Sequence, residues 1–180
     1  LAAAGGDQRQ VLAVTRVTGG SDAAQQLQGG EIDAALLAMP INKEQLDVIP
    51  VCKEEFLLAV PTNHQLARRK QITLDELQGQ SLMLLEEGHC LREQALSVCQ
   101  LAGAGENTTF RASSLETLRQ MVISGLGVTL MPAMAVNSAQ EGIRYVPFEI
   151  PPTREIGLVF RRSDWRLPLW QQLAQVLRSH

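Results

Sequence analysis

Ser81-Leu-Met-Leu-Leu-Glu-Glu-Gly-His-Cys90-Leu-Arg-Glu-Gln-Ala-Leu-Ser-Val-Cys99-Gln-Leu-Ala102 changes its apolar period midway. Ser81–Leu85 is a short, nearly continuous apolar run, as expected of a buried strand. From Cys90 onward the apolar residues are spaced differently. Leu91, Ala95, Val98 and Ala102 fall at i, i+4, i+7 and i+11, which is one face of a helix. Gly103 supplies the stop. A buried strand therefore feeds an amphipathic helix, with Glu86-Glu87-Gly88-His89 as the junction.

The same alternation extends in both directions. Upstream, Val11–Val17 reads as a strand, and Asp22–Gln28 as a short helix ended by Gly29-Gly30. Asp33–Ala38 and Glu55–Val60 read as strands, the second stopped by Pro61. Downstream, Thr108–Ala112 reads as a strand. Ser113-Ser114-Leu115-Glu116 has the form of a capping box and opens a helix to about Ser124. Gly127–Met131 is a strand, and Pro132 suits the first turn of a short helix. Ile143–Phe148 and Glu155–Arg161 are strands, and Leu167–Arg178 is an amphipathic helix. Strand–helix alternation of this kind predicts an α/β fold with mostly parallel sheets and helices on both faces. Its length suits one large domain or two small lobes. With two, residues 1–54 and 156–180 form the first lobe and residues 55–155 the second. The chain then crosses near Lys53–Glu55 and Arg154–Ile156, and a ligand cleft is expected near the crossings.

Composition narrows the function classes. The chain has 180 residues, 45% of them apolar, and a net charge of −3. Arg68-Arg69-Lys70 and Arg161-Arg162 are short clusters with the character of solvated surface, not a phosphate-binding stripe. No apolar run reaches the roughly 18–20 residues of a membrane span, so no membrane association is expected. Leu1–Gln10 resembles neither a natural start nor a targeting segment, and the expectation is a piece of something longer. Three cysteines (Cys52, Cys90 and Cys99) are too few for a secreted disulfide framework. With three scattered histidines they match no zinc pattern, so neither metal nor cofactor is expected. Reduced thiols in the cytoplasm are the default, and a disulfide there is more often regulatory than structural.

Each thiol also has an ordinary reading. Buried cysteines are usually inert, and Cys99, beside Val98 on the apolar side of its helix, suits a core position. Cys52 reads as packing in a strand-like run. Cys90 differs because it opens a helix, where exposed N–H groups and the helix dipole favour an anion. Such sites bring a thiol from about 8.5 down to roughly 3.5–7.5. His89 and Arg92 add positive charge or donors nearby, whereas Glu86, Glu87 and Glu93 oppose it.

The segments Glu55-Phe-Leu-Leu-Ala-Val-Pro61, His64-Gln-Leu-Ala67, Ser113-Ser-Leu-Glu-Thr-Leu118 and Met121-Val-Ile-Ser-Gly-Leu-Gly127-Val-Thr-Leu-Met-Pro132 resemble the effector-binding domain of LysR-type transcription regulators. The likeness runs from about Val11 to the end. It implies two Rossmann-like lobes of the periplasmic-binding-protein type, a homodimer and a tetramer at full length. It also implies DNA binding through an N-terminal helix-turn-helix not recognisable here, and contact with RNA polymerase. Leu84-Leu-Glu-Glu-Gly-His-Cys90-Leu-Arg-Glu-Gln-Ala95, with Cys99 nine residues after Cys90, is similar to the redox centre of the family's peroxide-sensing members. That resemblance implies that Cys90 reacts with hydrogen peroxide, that Cys99 resolves it into a disulfide, and that a thiol reductant resets it. It makes Arg154 the candidate donor to the leaving oxygen, with His89 as the local alternative. The family's threonine-bearing loop before the first helix is not recognisable. Thr18-Gly19-Gly20-Ser21 offers two hydroxyls between which the sequence does not choose.

Geometry adds a demand of its own. Nine helical residues advance about 13 Å and turn about 180°, whereas a disulfide needs Cα atoms roughly 4.4–6.8 Å apart. The helix must give way for the bond to form. Three rivals remain at this stage: a LysR-type domain for a small effector with incidental cysteines, a periplasmic solute-binding protein, and a thiol peroxidase with turnover.

Overall fold

The structure, a computed structural model, describes residues 20–41, 44–87 and 90–179. The chain divides into two compact units, Leu1–Val51 with Gly157–His180, and Cys52–Ile156. The expected strand at Val11–Val17 lies outside the described residues.

In the first unit, helix α1 (Gly20–Gly29) leads into strand β1 (Ala34–Ala38). It ends where Gly30 takes a positive φ of 77°, a conformation glycine adopts without steric cost. Strand β2 (Leu46–Pro61) starts in this unit and continues into the second. Strand β7 (Thr153–Arg161) returns from the second unit, and helix α4 (Leu167–Arg178) closes the chain. Alternate residues of β1 and β7 point to opposite faces. Ala35, Leu37 and Val159 pack with Leu27 of α1, and Ala34, Leu158 and Phe160 pack with Trp170 and Ala174 of α4. The expected helix on each face is therefore present in this unit.

The second unit is built on the stretch from Ser81 to Ala102. Strand β3 (Ser81–Leu85) feeds helix α2 (Cys90–Ala102), which returns to strand β4 (Gly105–Ala112). β3 and β4 pair in parallel, Ser81 opposite Gly105 and Leu85 opposite Ala112. Helix α3 (Leu115–Ile123), strand β5 (Thr129–Pro132) and strand β6 (Ile143–Val146) follow. Leu82, Met83, Leu84 and Leu85 are buried together with Leu91, Ala95 and Val98 of α2 and Leu118 and Val122 of α3.

Three expectations need correction. The sheets are not mostly parallel, because β2 pairs antiparallel with both β5 and β6. β2 is 16 residues long and not the six of Glu55–Val60. The charges of Lys53-Glu54-Glu55 interrupt an apolar run but not a strand, which requires apolar residues on one face only. The N-cap of α3 is Ser114, whose side chain accepts from the Thr117 amide at 3.1 Å. That puts Glu116 one residue short of the capping-box position, and it bonds to Arg119 and Gln120 instead.

Candidate functional site

α2 is helical without a break from Cys90 to Ala102, so the two cysteines stand nine positions apart on intact helix. By helical geometry their backbones stand about 13 Å apart along the axis, far beyond the reach of a disulfide. Cys99 is 1% exposed. Burial pushes its thiol up to about 11, with the Glu106 carboxylate contributing in the same direction. The Cys99 sulfur is therefore a neutral thiol and a poor nucleophile while α2 persists.

The two ends of α2 are held differently. At the C-terminal end, Gly103 has φ 63°. Its amide donates to the Gln100 carbonyl at 3.3 Å, and the Ala104 amide donates to the Cys99 carbonyl at 2.9 Å. This is a Schellman motif that ties down the backbone of Cys99. Gly103→Ala places a Cβ in left-handed backbone, at a cost of about 1–2 kcal/mol. The expected result is a lower melting temperature and faster amide exchange at Gln100–Ala104, with the N-terminal turns of α2 unaffected. Equal loosening throughout the helix would contradict this.

Near the N-terminal end the anchor is a side chain. Arg92 is buried and donates to the Leu85 carbonyl at 3.2 Å and to both Glu106 oxygens at 2.8 and 3.2 Å. The Glu106 carboxyl is held below the usual carboxylate range by this hydrogen bonding, and Arg111 approaches it at 3.6 Å. Sequence reading offered Arg92 as positive charge for Cys90. The structure instead commits its guanidinium to β4, because Glu106 lies opposite it across the β3–α2–β4 crossover.

Arg154 sits in the second unit, 8% exposed. Its Nε donates to Glu54 Oε2 at 2.6 Å, and its Nη2 lies 2.6 Å from the same oxygen. Glu54 Oε1 accepts from the Met134 amide at 2.9 Å. The Nη1 of Arg154 donates to Gln94 Oε1 at 3.2 Å. Gln94 lies on α2 four residues beyond Cys90, about 6 Å of helix. The fold thus brings Arg154 to the Cys90 end of α2 from 60 residues away in sequence. His89 and Thr18 lie outside the described residues, and Ser21 falls within α1.

Sequence reading missed Glu54 and Gln94. Glu54 was detectable in principle, since it stands in phase with Phe56 and Leu58 and all three are buried. Cys52 is exposed in β2, which corrects the packing role expected of it. Partial burial, then the Glu54 charge, raise its thiol, and Arg154 counteracts this. Among the described residues no His, Cys, Asp or Glu cluster is arranged to hold a metal. No described helix is long and apolar enough to cross a membrane.

An α/β unit with a thiol-bearing crossover helix, linked by two long strands to a second α/β unit, is the frame of an effector-binding regulatory domain. The chain matches the LysR substrate binding domain over residues 9–180 and belongs to that family. It is 43% identical over 157 residues to the DNA-binding transcriptional dual regulator OxyR of Escherichia coli strain K12, covering 86% of this chain and 52% of the relative. It is also similar to crystal structures of the oxidized form of OxyR (TM-score 0.79, 41% identity, 90% of this chain and 78% of that one) and of the reduced form of OxyR (TM-score 0.80, 38% identity, 90% and 77%). The chain spans about half the length of the curated relatives it matches. The two TM-scores are nearly equal.

Proposed function

We propose that this chain is the redox-sensing regulatory part of a LysR-type transcription regulator, with hydrogen peroxide as its signal. The observation that carries the reading is the unbroken helix between the two thiols, one at its start and the other buried and protonated. The Cys90 thiolate attacks one peroxide oxygen and the O–O bond breaks. The other oxygen takes up a proton and leaves as water, and Cys90 becomes a sulfenic acid. Arg154 is the donor to the leaving oxygen, with His89 as the alternative. The Cys99 sulfur then displaces the sulfenic oxygen, which takes a proton and leaves as a second water, and a disulfide forms. Peroxide is reduced by two electrons and the thiol pair is oxidised by two.

The disulfide cannot form across intact α2, so oxidation unwinds or shifts the Cys90–Cys99 segment and turns one bond into a change of domain shape. The chemistry is stoichiometric and is reset by a thiol reductant, not turned over as in an enzyme. In the whole protein, two regulatory lobes divide near residues 54 and 155, and an N-terminal helix-turn-helix binds DNA. The regulatory part forms a homodimer and the full-length regulator a tetramer, acting in the cytoplasm with RNA polymerase. Similarity to the DNA-binding transcriptional dual regulator OxyR supports the transcriptional and DNA-binding part of this reading.

The test is mass spectrometry of the thiols after one equivalent of peroxide. The wild-type chain is expected to show a Cys90–Cys99 disulfide, and Cys99→Ser a sulfenic acid at Cys90. An unreacted Cys90 overturns the reading and leaves a domain that binds a small effector.

A further inference from the structure

We propose that Glu54 is a positioning residue for the peroxide reaction, holding the Arg154 guanidinium so that Nη1 faces α2. The inference rests on the reading of Cys90 and Arg154 given above. An arginine side chain has many rotamers, and a donor helps a leaving oxygen only when it is already in place. Glu54 removes that freedom. One of its oxygens takes both Nε and Nη2 of Arg154. The other is fixed by a backbone amide, Met134 N–H, so the carboxylate cannot turn with its partner. Phe56 closes the remaining side, with Arg154 Cζ 5.7 Å from its ring centroid. Nη1 then meets Gln94, one helical turn from Cys90.

The pairing also sets what kind of help Arg154 gives. Glu54 and Arg154 are both buried and their charges offset each other, so the pair presents a directed N–H more than a positive field. Glu54 therefore governs the rate at which the Cys90 thiolate reacts with peroxide more than the fraction of Cys90 that is thiolate.

Substitutions in the Cys99→Ser chain test this. Sulfenic acid at Cys90 is counted against time over a range of pH, and Cys90 alkylation by iodoacetamide is measured in parallel. Alkylation expels iodide and needs no donor to an oxygen. Glu54→Gln keeps one acceptor oxygen where the carboxylate offered two. It is expected to lower the high-pH plateau for peroxide by about tenfold to a hundredfold, leaving the alkylation plateau within about twofold. In an Arg154→Gln background, Glu54→Gln is expected to add nothing further. Should Glu54→Gln not fold, Glu54→Asp keeps the charge on a shorter stem and is expected to slow the peroxide plateau severalfold. Equal loss in both reactions, additive losses in the double variant, or an unchanged peroxide plateau would overturn the role of Glu54. If Arg154→Gln slows the peroxide reaction and Glu54→Gln does not, only the positioning role fails. If Arg154→Gln has no effect, the assignment of Arg154 fails too, and if unsubstituted Cys90 does not react, the sensor reading itself fails.

Discussion

Glu106→Ala is expected to release α2 and lock the protein toward its disulfide form. Glu106 is the carboxylate that Arg92 meets through two hydrogen bonds, and the Arg92 side chain is only 7% exposed. Removing one partner of such a pair leaves an uncompensated buried charge, at a cost of about 3–5 kcal/mol. Glu106 itself is more exposed than Arg92, and Arg92 can relieve part of its desolvation by swinging outward. The lower end of that range, about 3 kcal/mol, is therefore the expectation. Arg92 stands two residues from Cys90, so moving it disturbs the turn that must open for the disulfide to form.

The cost falls on the helical, reduced state. If the pair is already broken in the disulfide state, the whole difference enters the redox equilibrium. For a two-electron couple about 30 mV corresponds to 1.4 kcal/mol, so the midpoint should move some 60 mV more negative. The disulfide would form at a lower peroxide dose and resist reduction longer. Hydrogen exchange should show protection over Leu91–Val98 falling by about a hundredfold, the population equivalent of that free energy. Unchanged protection there would sink the idea that Arg92 and Glu106 hold the Cys90 end of α2.

The second large effect is alkaline. Cys99 has its thiol raised to about 11 in the fold, against about 8.5 for a free thiol. A raised folded value means that the native state binds this proton more tightly than the unfolded chain does. The contribution to stability is thus full below about pH 8.5 and is lost as pH climbs toward 11. At 1.36 kcal/mol per unit it amounts to roughly 3 kcal/mol. Cys99→Ala should flatten the alkaline limb of the stability curve, measured by denaturant unfolding from pH 7 to 11. Identical limbs for the two chains would refute a protonated, buried Cys99.

The same shift bears on kinetics. At pH 7 a thiol titrating near 11 is thiolate about once in ten thousand molecules, and one titrating near 8.5 about once in thirty. On the proposed mechanism, unwinding α2 increases the reactive form of Cys99 and brings it within reach of Cys90. In the proposed mechanism both effects act together, and Cys99 is silent until the helix opens.

The sequence by itself carried much of what depends on neighbouring residues. The change of apolar period after Leu85, the glycine after Ala102 and the nine-residue spacing of the thiols determined that a strand would feed a helix with a cysteine near each end. Helical rise alone then set the two sulfurs too far apart to bond. The serines at 113 and 114 located the start of α3 to within one residue, because capping is a local hydrogen bond. Even the likeness to a redox centre lay in one short stretch.

Only the tertiary structure decided which distant charges meet. Arg154 could have faced its neighbour Glu155 or solvent. It faces Glu54, 100 residues earlier, because β2 and β7 both run through the second unit and bring these two side chains together. Arg92 could have served Cys90 and instead serves Glu106, because β4 returns beside β3. The antiparallel pairing of β2 with β5 and β6, and the depth at which Cys99 is buried, arise in the same way. Periodicity and capping are properties of adjacent residues and can be read along the chain. Charge pairing and desolvation depend on which strands lie side by side, and that is set by the path of the whole backbone.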